Sequence, residues 1–147
     1  MKAIVQRVSS ASVSVGGDVV SRIGPGLLVL LGIGAEDQGS DLDWMVEKVL
    51  HLRCLEDDRG KMNLSVLDRK GEILCISQFT LYGDCRRGNR PSFDKAAAPS
   101  LALDFYQKFI DKIAEEGVII KAGTFGAKMT VSLVNEGPVT LILDSRL

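Results

Sequence analysis

The sequence is poor in the groups on which most hydrolytic chemistry depends. It has one histidine, His51, and three cysteines, Cys54, Cys75 and Cys85, with no CxxC pair among them. A Ser–His–Asp triad would have only His51 for its base. A zinc site would have only His51 and Cys54, spaced i, i+3. Neither is expected. His51 reads as an ordinary half-buried histidine, and the odd thiol count suits free cysteines in a reducing compartment. Long apolar runs are also missing. Leu27–Leu31, the longest, falls far short of the ~20 residues of a membrane helix. The opening Met1–Arg7 soon turns polar and carries no secretory cleavage pattern. We therefore expect a soluble, cytoplasmic protein without a zinc site. No charge of one sign dominates: the net charge is −1 and the pI about 5.8. That disfavours broad non-specific nucleic-acid binding but permits a local basic patch.

What remains is ample for a core. Of 147 residues, 46% are hydrophobic and 25% charged, which fits one globular domain spanning 1–147. No repeat, linker or low-complexity tract is visible. Residues 2–8 read as a strand. Ser12–Val15, Gly16-Gly17 and Asp18–Ile23 read as a hairpin. Leu27–Leu31, apolar throughout, should be covered on both faces. Ser40–Leu50 has a helical stripe at Leu42, Met45, Val46, Val49 and Leu50, with Ser40 and Asp43 at capping-box spacing. His51–Glu56 alternates like a strand, Asp57–Gly60 like a turn, and Glu72–Phe79 is a further strand. Pro99 should open a second helix, with Leu101, Phe105, Phe109 and Ile113 on its buried face and Gly117 at its end. Val118–Lys121, Met129–Val134 and Val139–Leu143 supply the last strands, the final two separated by a Gly137-Pro138 turn. The expected class is α+β: a curved, mixed, barrel-like sheet with two packed helices.

Four segments carry possible chemistry. Gly32-Ile33-Gly34-Ala35-Glu36-Asp37 follows an apolar strand as a dinucleotide loop would. Asp37 stands where the third glycine belongs, and its carboxylate would repel a pyrophosphate. A glycine turn leaving a strand explains the segment better. Ser77-Gln78-Phe79-Thr80 ends an apolar strand on polar groups. Buried hydroxyls and amides need partners, so these either bond to a neighbouring strand or line a pocket, with Gln78 and Thr80 on one face and Ser77 and Phe79 on the other. Arg86, Arg87 and Arg90, with Phe93 close by, concentrate positive charge in one loop. Arginine forks suit phosphates and an aromatic can stack on a base, although a solvated loop has the same composition. Gly137-Pro138 is an ordinary trans turn or a tip that offers main chain instead of a side chain.

Together, Ser77–Tyr82 and Gly123–Thr140 resemble the two signature segments of the D-aminoacyl-tRNA deacylases (the D-tyrosyl-tRNA(Tyr) deacylase family). Met1–Val8, Gly60–Asn63 and Arg87–Phe93 fit the same family, so the similarity spans nearly the whole chain. The resemblance implies hydrolysis of the ester of D-aminoacyl-tRNA, with no metal or organic cofactor, by a homodimer with active sites at the subunit interface. It implies that Gly137-Pro138 is cis, reaches into the partner's pocket and is held by Arg7. It places Ser77, Gln78 and Thr80 in the catalytic segment, and Phe79 and Met129 against the substrate. Two mechanisms stay open: Thr80 as nucleophile, or the 2′-hydroxyl of the terminal ribose assisting water while the protein positions the ester. Glycyl-tRNA, with no side chain to reject, is implied as a weaker substrate. Two other readings predict different behaviour. A noncatalytic RNA- or nucleotide-binding module would bind through the arginine loop without releasing amino acid. An oxidoreductase using Gly32-Ile33-Gly34 would carry NAD or FAD.

Overall fold

Three consecutive strands begin the chain in a computed structural model that describes residues 1–147. They are β1 (Lys2–Val15), β2 (Asp18–Ile23) and β3 (Gly26–Gly32). Gly16 and Gly17, both at positive φ, make the tight reversal that an L side chain would resist. β1 is one long strand where the sequence suggested two. Its first half pairs antiparallel with β3 and its second half with β2, while β8 (Met129–Asp144) runs along its other edge. Next come α1 (Gly39–His51), the short hairpin β4 (Leu55–Glu56) and β5 (Met62–Leu64), and β6 (Glu72–Ser77). A 3-10 turn (Phe79–Tyr82), α2 (Pro99–Glu115) and β7 (Ile120–Ala122) precede β8.

The strand order is β2-β1-β3-β6-β7, with β6 parallel to both β3 and β7. The helices are the crossovers those parallel pairs require. Both pack on one sheet face, where Leu27, Val29, Leu31, Ile73 and Cys75 meet Met45, Val49, Phe109 and Ile113 in the main core. Phe109 is fully buried, an aromatic contribution of about 2–3 kcal/mol. On the opposite face Leu28, Leu74 and Ile76 meet Val8, Ala11, Val13 and Ile23 in a second, smaller cluster. The sheet curls around that cluster until β2 reaches β7. Ser21 donates its hydroxyl to the Ala122 carbonyl at 2.6 Å, and Lys121 reaches the Arg22 carbonyl at 2.7 Å. The result is the mixed, nearly closed sheet with two helices that the sequence suggested.

Several local expectations need correction. The α1 cap lies two residues earlier than Ser40: the Gln38 N–H donates to the Asp41 carboxylate at 2.8 Å. His51 belongs to the end of α1, not to a strand, and it is exposed, with Nδ1 3.2 Å from the Glu47 carboxylate. No serine of the pocket lies within its hydrogen-bonding reach, so the triad reading falls. On α2, Leu101 is only partly buried, and Ala102 and Tyr106 join Phe105, Phe109 and Ile113 in the core. The last two expected strands are one. Both halves of β8 pair with β1, so Gly137-Pro138 does not reverse the chain.

It makes a bulge instead. Gln6 faces Thr140 and Val8 faces Asn135, so the segment between them is longer on β8 than on β1 by three residues. An odd insertion reverses the alternation of faces. Met129, Val131 and Leu133 accordingly pack on the smaller cluster, and Val139, Leu141 and Leu143 on the helical core. The tip stands where the strand passes from one core to the other.

Candidate functional site

A cavity of about 610 Å³ opens beside the smaller cluster, with Ile76, Met129 and Val131 from the sheet on one side. Ser77, Gln78 and Phe79 form its rim, and Phe93, Ala96, Ala97 and Phe125 complete it. The strand expected to reach Phe79 stops at Ser77. The Gln78 N–H then donates to the Leu31 carbonyl at 2.8 Å, and the chain coils into the 3-10 turn, closed by Gly83 N–H on the Thr80 carbonyl at 3.0 Å. Gln78 and Thr80 are therefore not neighbours on a strand face. They meet because the turn brings them together, and the Gln78 side-chain amide donates to the Thr80 hydroxyl. Phe79 remains 54% exposed and meets Phe93 edge-on, with ring centroids 5.1 Å apart. Such a pair presents an aromatic surface suited to a planar base.

No titratable side chain lines this cavity. It has hydroxyl, amide, aromatic and aliphatic groups but no carboxylate, imidazole or amine to act as a general base. In a 3-10 turn the leading N–H groups have no partner within the turn, and here those belong to Phe79 and Thr80. No cluster of three or more His, Cys, Asp or Glu is arranged to hold a metal ion.

The tip lies elsewhere in the chain. Gly137 has φ +113° and its peptide bond to Pro138 is cis. Arg7, a 5%-exposed residue on β1, passes beneath it. Its Nε donates to the Glu136 carbonyl at 3.2 Å, Nη1 to the Cys54 carbonyl at 3.1 Å and Nη2 to the Glu56 carboxylate at 3.1 Å. A Cβ on Gly137 would sit 2.8 Å from Arg7 Nη2 and 2.9 Å from Val139. Asn135, which sequence reasoning passed over, closes the bulge. Its amide donates to the Arg7 carbonyl at 3.0 Å and to the Val139 carbonyl at 2.9 Å. The signal was an amide just before Glu-Gly-Pro, able to bond main chain on both sides. Arg7 and Glu136 line a different cavity from Ser77, Gln78, Phe79 and Met129. One chain thus brings together the cavity set and, separately, Arg7 with Gly137-Pro138.

The arginine loop divides. Arg86 grips Asp84, with Nε at 2.9 and 3.0 Å from its two oxygens, and holds that carboxyl well below the ordinary range. Arg87 and Arg90 are exposed and form no ion pair. The Gly32–Asp37 segment is structural. Asp37 is buried, accepts the Gly34 N–H at 2.6 Å and pairs with the Met1 ammonium at 2.8 Å, so its carboxylate takes the main-chain N–H that a pyrophosphate would need. Cys54 and Cys75 are buried, and burial raises both thiols above their usual range; Cys85 is exposed.

The chain is similar to known proteins in sequence and in fold. The chain is 54% identical over 147 residues to a D-aminoacyl-tRNA deacylase from Thermosipho melanesiensis, covering 99% of this chain and 98% of that one. Its fold matches a solved structure described as a c-Myc DNA unwinding element binding protein with TM-score 0.94 and 47% identity, over 100% of both chains. It also matches one described as a "probable eukaryotic D-amino acid tRNA deacylase" with TM-score 0.83 over 97% of each, at 18% identity, a likeness of fold alone. The family model for D-Tyr-tRNA(Tyr) deacylase matches residues 4–144, and the chain belongs to that family.

Proposed function

We propose that this protein hydrolyses the ester of D-aminoacyl-tRNA in the cytoplasm, releasing free D-amino acid and tRNA. The observation that carries the mechanism is the cavity without a titratable group. With no side-chain base at hand, catalysis rests on positioning and on the substrate. The terminal base of the tRNA stacks at Phe79 and Phe93, and Met129 and Ser77 bound the ester. The ribose 2′-hydroxyl assists a water whose oxygen attacks the carbonyl carbon. The N–H groups of Phe79 and Thr80 stabilise the oxyanion. The bond to the ribose oxygen then breaks, and that oxygen takes up the proton. Thr80, hydrogen-bonded to Gln78, orients the turn in this scheme and is not the nucleophile. Arg87 and Arg90 meet tRNA phosphates, while Arg86 chiefly stiffens the loop through Asp84.

Selectivity requires a second copy of the chain. Tip and cavity belong to different parts of one protomer, so the tip serves its partner's cavity. The sheet face opposite the helices favours such pairing. There Ile4 stands in register between Leu30 and Ile142, and Ile142 is 75% exposed. In the dimer, main-chain carbonyls at Gly137-Pro138 grip the α-ammonium. An L side chain then points into the backbone wall and a D side chain away from it. Rejection by collision is indifferent to side-chain identity, and glycyl-tRNA, lacking a side chain, is a weaker substrate.

The decisive experiment compares release of amino acid from D- and L-tyrosyl-tRNA by purified protein. Rapid loss of the D ester alone is expected. Equal turnover of both would remove the tip from the mechanism. Salt-sensitive tRNA binding without release would establish the noncatalytic binding module instead.

A further inference from the structure

We propose that Tyr82, seated on Gly34 and tied to Asp37, is a positioning residue that fixes the 3-10 turn carrying Phe79 and Thr80. The inference rests on the reading of that turn as the catalytic segment. Gly32 and Gly34 follow β3 beneath the turn, and both are places where the turn comes too close for a side chain. A Cβ on Gly34 would lie 2.7 Å from the Tyr82 hydroxyl and 2.8–2.9 Å from its ring. One on Gly32 would lie 3.0 Å from the Gln78 carbonyl and 3.2 Å from Leu81 Cβ. The phenol crosses Gly34 and donates to Asp37 Oδ2 at 3.3 Å. The same carboxylate accepts the Gly34 N–H and pairs with the Met1 ammonium, so the phenol is anchored to a group that is itself immobilised. Lys2 Nζ lies 5.2 Å from the ring centroid on β1.

The same short segment also supports the opposite wall. The Ile33 carbonyl accepts the Ala97 N–H at 3.0 Å, and the Ala35 N–H donates to the Lys95 carbonyl at 3.0 Å. Ala96 and Ala97 line the cavity across from the turn. Gly32-Ile33-Gly34 is therefore a common base plate, and Tyr82 is the strut that holds the catalytic wall against it. A displacement of about 1 Å in such a wall costs on the order of 100-fold in rate.

The test measures steady-state deacylation of D-tyrosyl-tRNA well below each variant's melting temperature, with folded fraction checked by circular dichroism. Gly34→Ala and Tyr82→Leu should each lower kcat by about tenfold or more while KM moves less than about twofold. The double variant should be no slower than the worse single, because both remove one contact. Tyr82→Phe, which keeps the ring, should recover most of the loss. Gly39→Ala, where an added Cβ meets nothing within 4 Å, should match the parent. A wild-type kcat in Gly34→Ala and Tyr82→Leu, or strictly multiplicative losses in the double variant, would overturn the strut. Should Gly34→Ala not fold, the Tyr82→Leu and Tyr82→Phe pair decides alone: a wild-type kcat in Tyr82→Leu refutes the proposal, and a deficit relieved by Phe supports it. Phe79→Ala and Gln78→Ala separate the two levels. If they leave deacylation intact, the turn is not the site and the strut falls with it. If they abolish it while the Tyr82 variants do not, the strut alone falls.

Discussion

Two polar constellations lie at opposite ends of the 3-10 turn and differ in kind. Around Asp37 and Asp41 every group is charged or fully engaged. The Met1 ammonium meets Asp37 at 2.8 Å and the Ser145 hydroxyl at 2.5 Å, Ser145 donates to Asp41 at 2.6 Å, and Arg146 reaches Asp41 at 3.2 Å. Burial alone would raise Asp41, but hydrogen bonds from Ser145, Gln38 and Arg146 outweigh it and lower the pKa to about 2. Around Ser77, Gln78 and Thr80 nothing is charged, Phe79 is half exposed, and two main-chain N–H groups have no partner in their turn. The charged cluster ties the two ends of the chain together, and its buried carboxylates are paired within it. The neutral rim has capacity left and a cavity to use it in. In this protein the buried charges serve the fold, and the neutral rim is the proposed substrate site.

That contrast can be broken from either side. The largest effect is expected at the tip, where the proposed recognition is by main chain. Gly137→Ala should lower D-tyrosyl-tRNA deacylation by about 100-fold or erode its preference over the L ester. Its Cβ would collide with Arg7 and Val139, and φ +113° is a region L residues rarely adopt. Single-turnover assays on both esters check this, and unchanged rates with unchanged selectivity would detach the tip from function. Arg7→Lys comes next. A lysine cannot serve the Glu136 and Cys54 carbonyls and the Glu56 carboxylate together, so we expect a loss of about 1–3 kcal/mol in urea unfolding and weakened chiral discrimination. Thr80→Ala should cost less than about tenfold in kcat and leave deacylation measurable. Complete loss with unchanged tRNA binding would make Thr80 the nucleophile. The smallest effect on turnover belongs to the charged cluster. Asp41 titrates lower folded than its ordinary 3.8, so its contribution is present above about pH 4 and disappears as pH falls towards 2, worth about 2 kcal/mol. Asp41→Asn should flatten acid unfolding across that window without altering kcat per folded molecule. A steeper acid transition would contradict the assignment.

Periodicity made much of the fold legible. The Leu42, Met45, Val46, Val49, Leu50 stripe predicted the buried face of α1, and the wholly apolar Leu27–Leu31 run predicted a strand covered on both faces. Ser77, Gln78, Phe79 and Met129 could be nominated for the cavity because their segments are so distinctive. Other features were invisible for a definite reason. Gly137-Pro138 reads equally well as a reversal or a bulge, and the difference is whether both flanking halves pair with the same strand. Gln78 and Thr80 share a strand face only if the strand continues, and it ends where Gln78 N–H finds the Leu31 carbonyl. Phe93 reads as a stacking aromatic and Phe125 lies in a signature segment, but which wall each faces depends on how their loops fold over the sheet.

The chain by itself determined where the apolar faces lie, where glycine must accept a positive φ, and that no histidine chemistry was available, because these follow from residue type and spacing along a few turns of backbone. Tertiary structure decided that Tyr82 would rest on Gly34, that Arg7 would lie under Gly137, and that the tip would stand apart from the cavity of the same chain. The first two are contacts between residues 48 and 130 positions apart in sequence. They depend on how the sheet curls and how its strands register, and no local pattern encodes either.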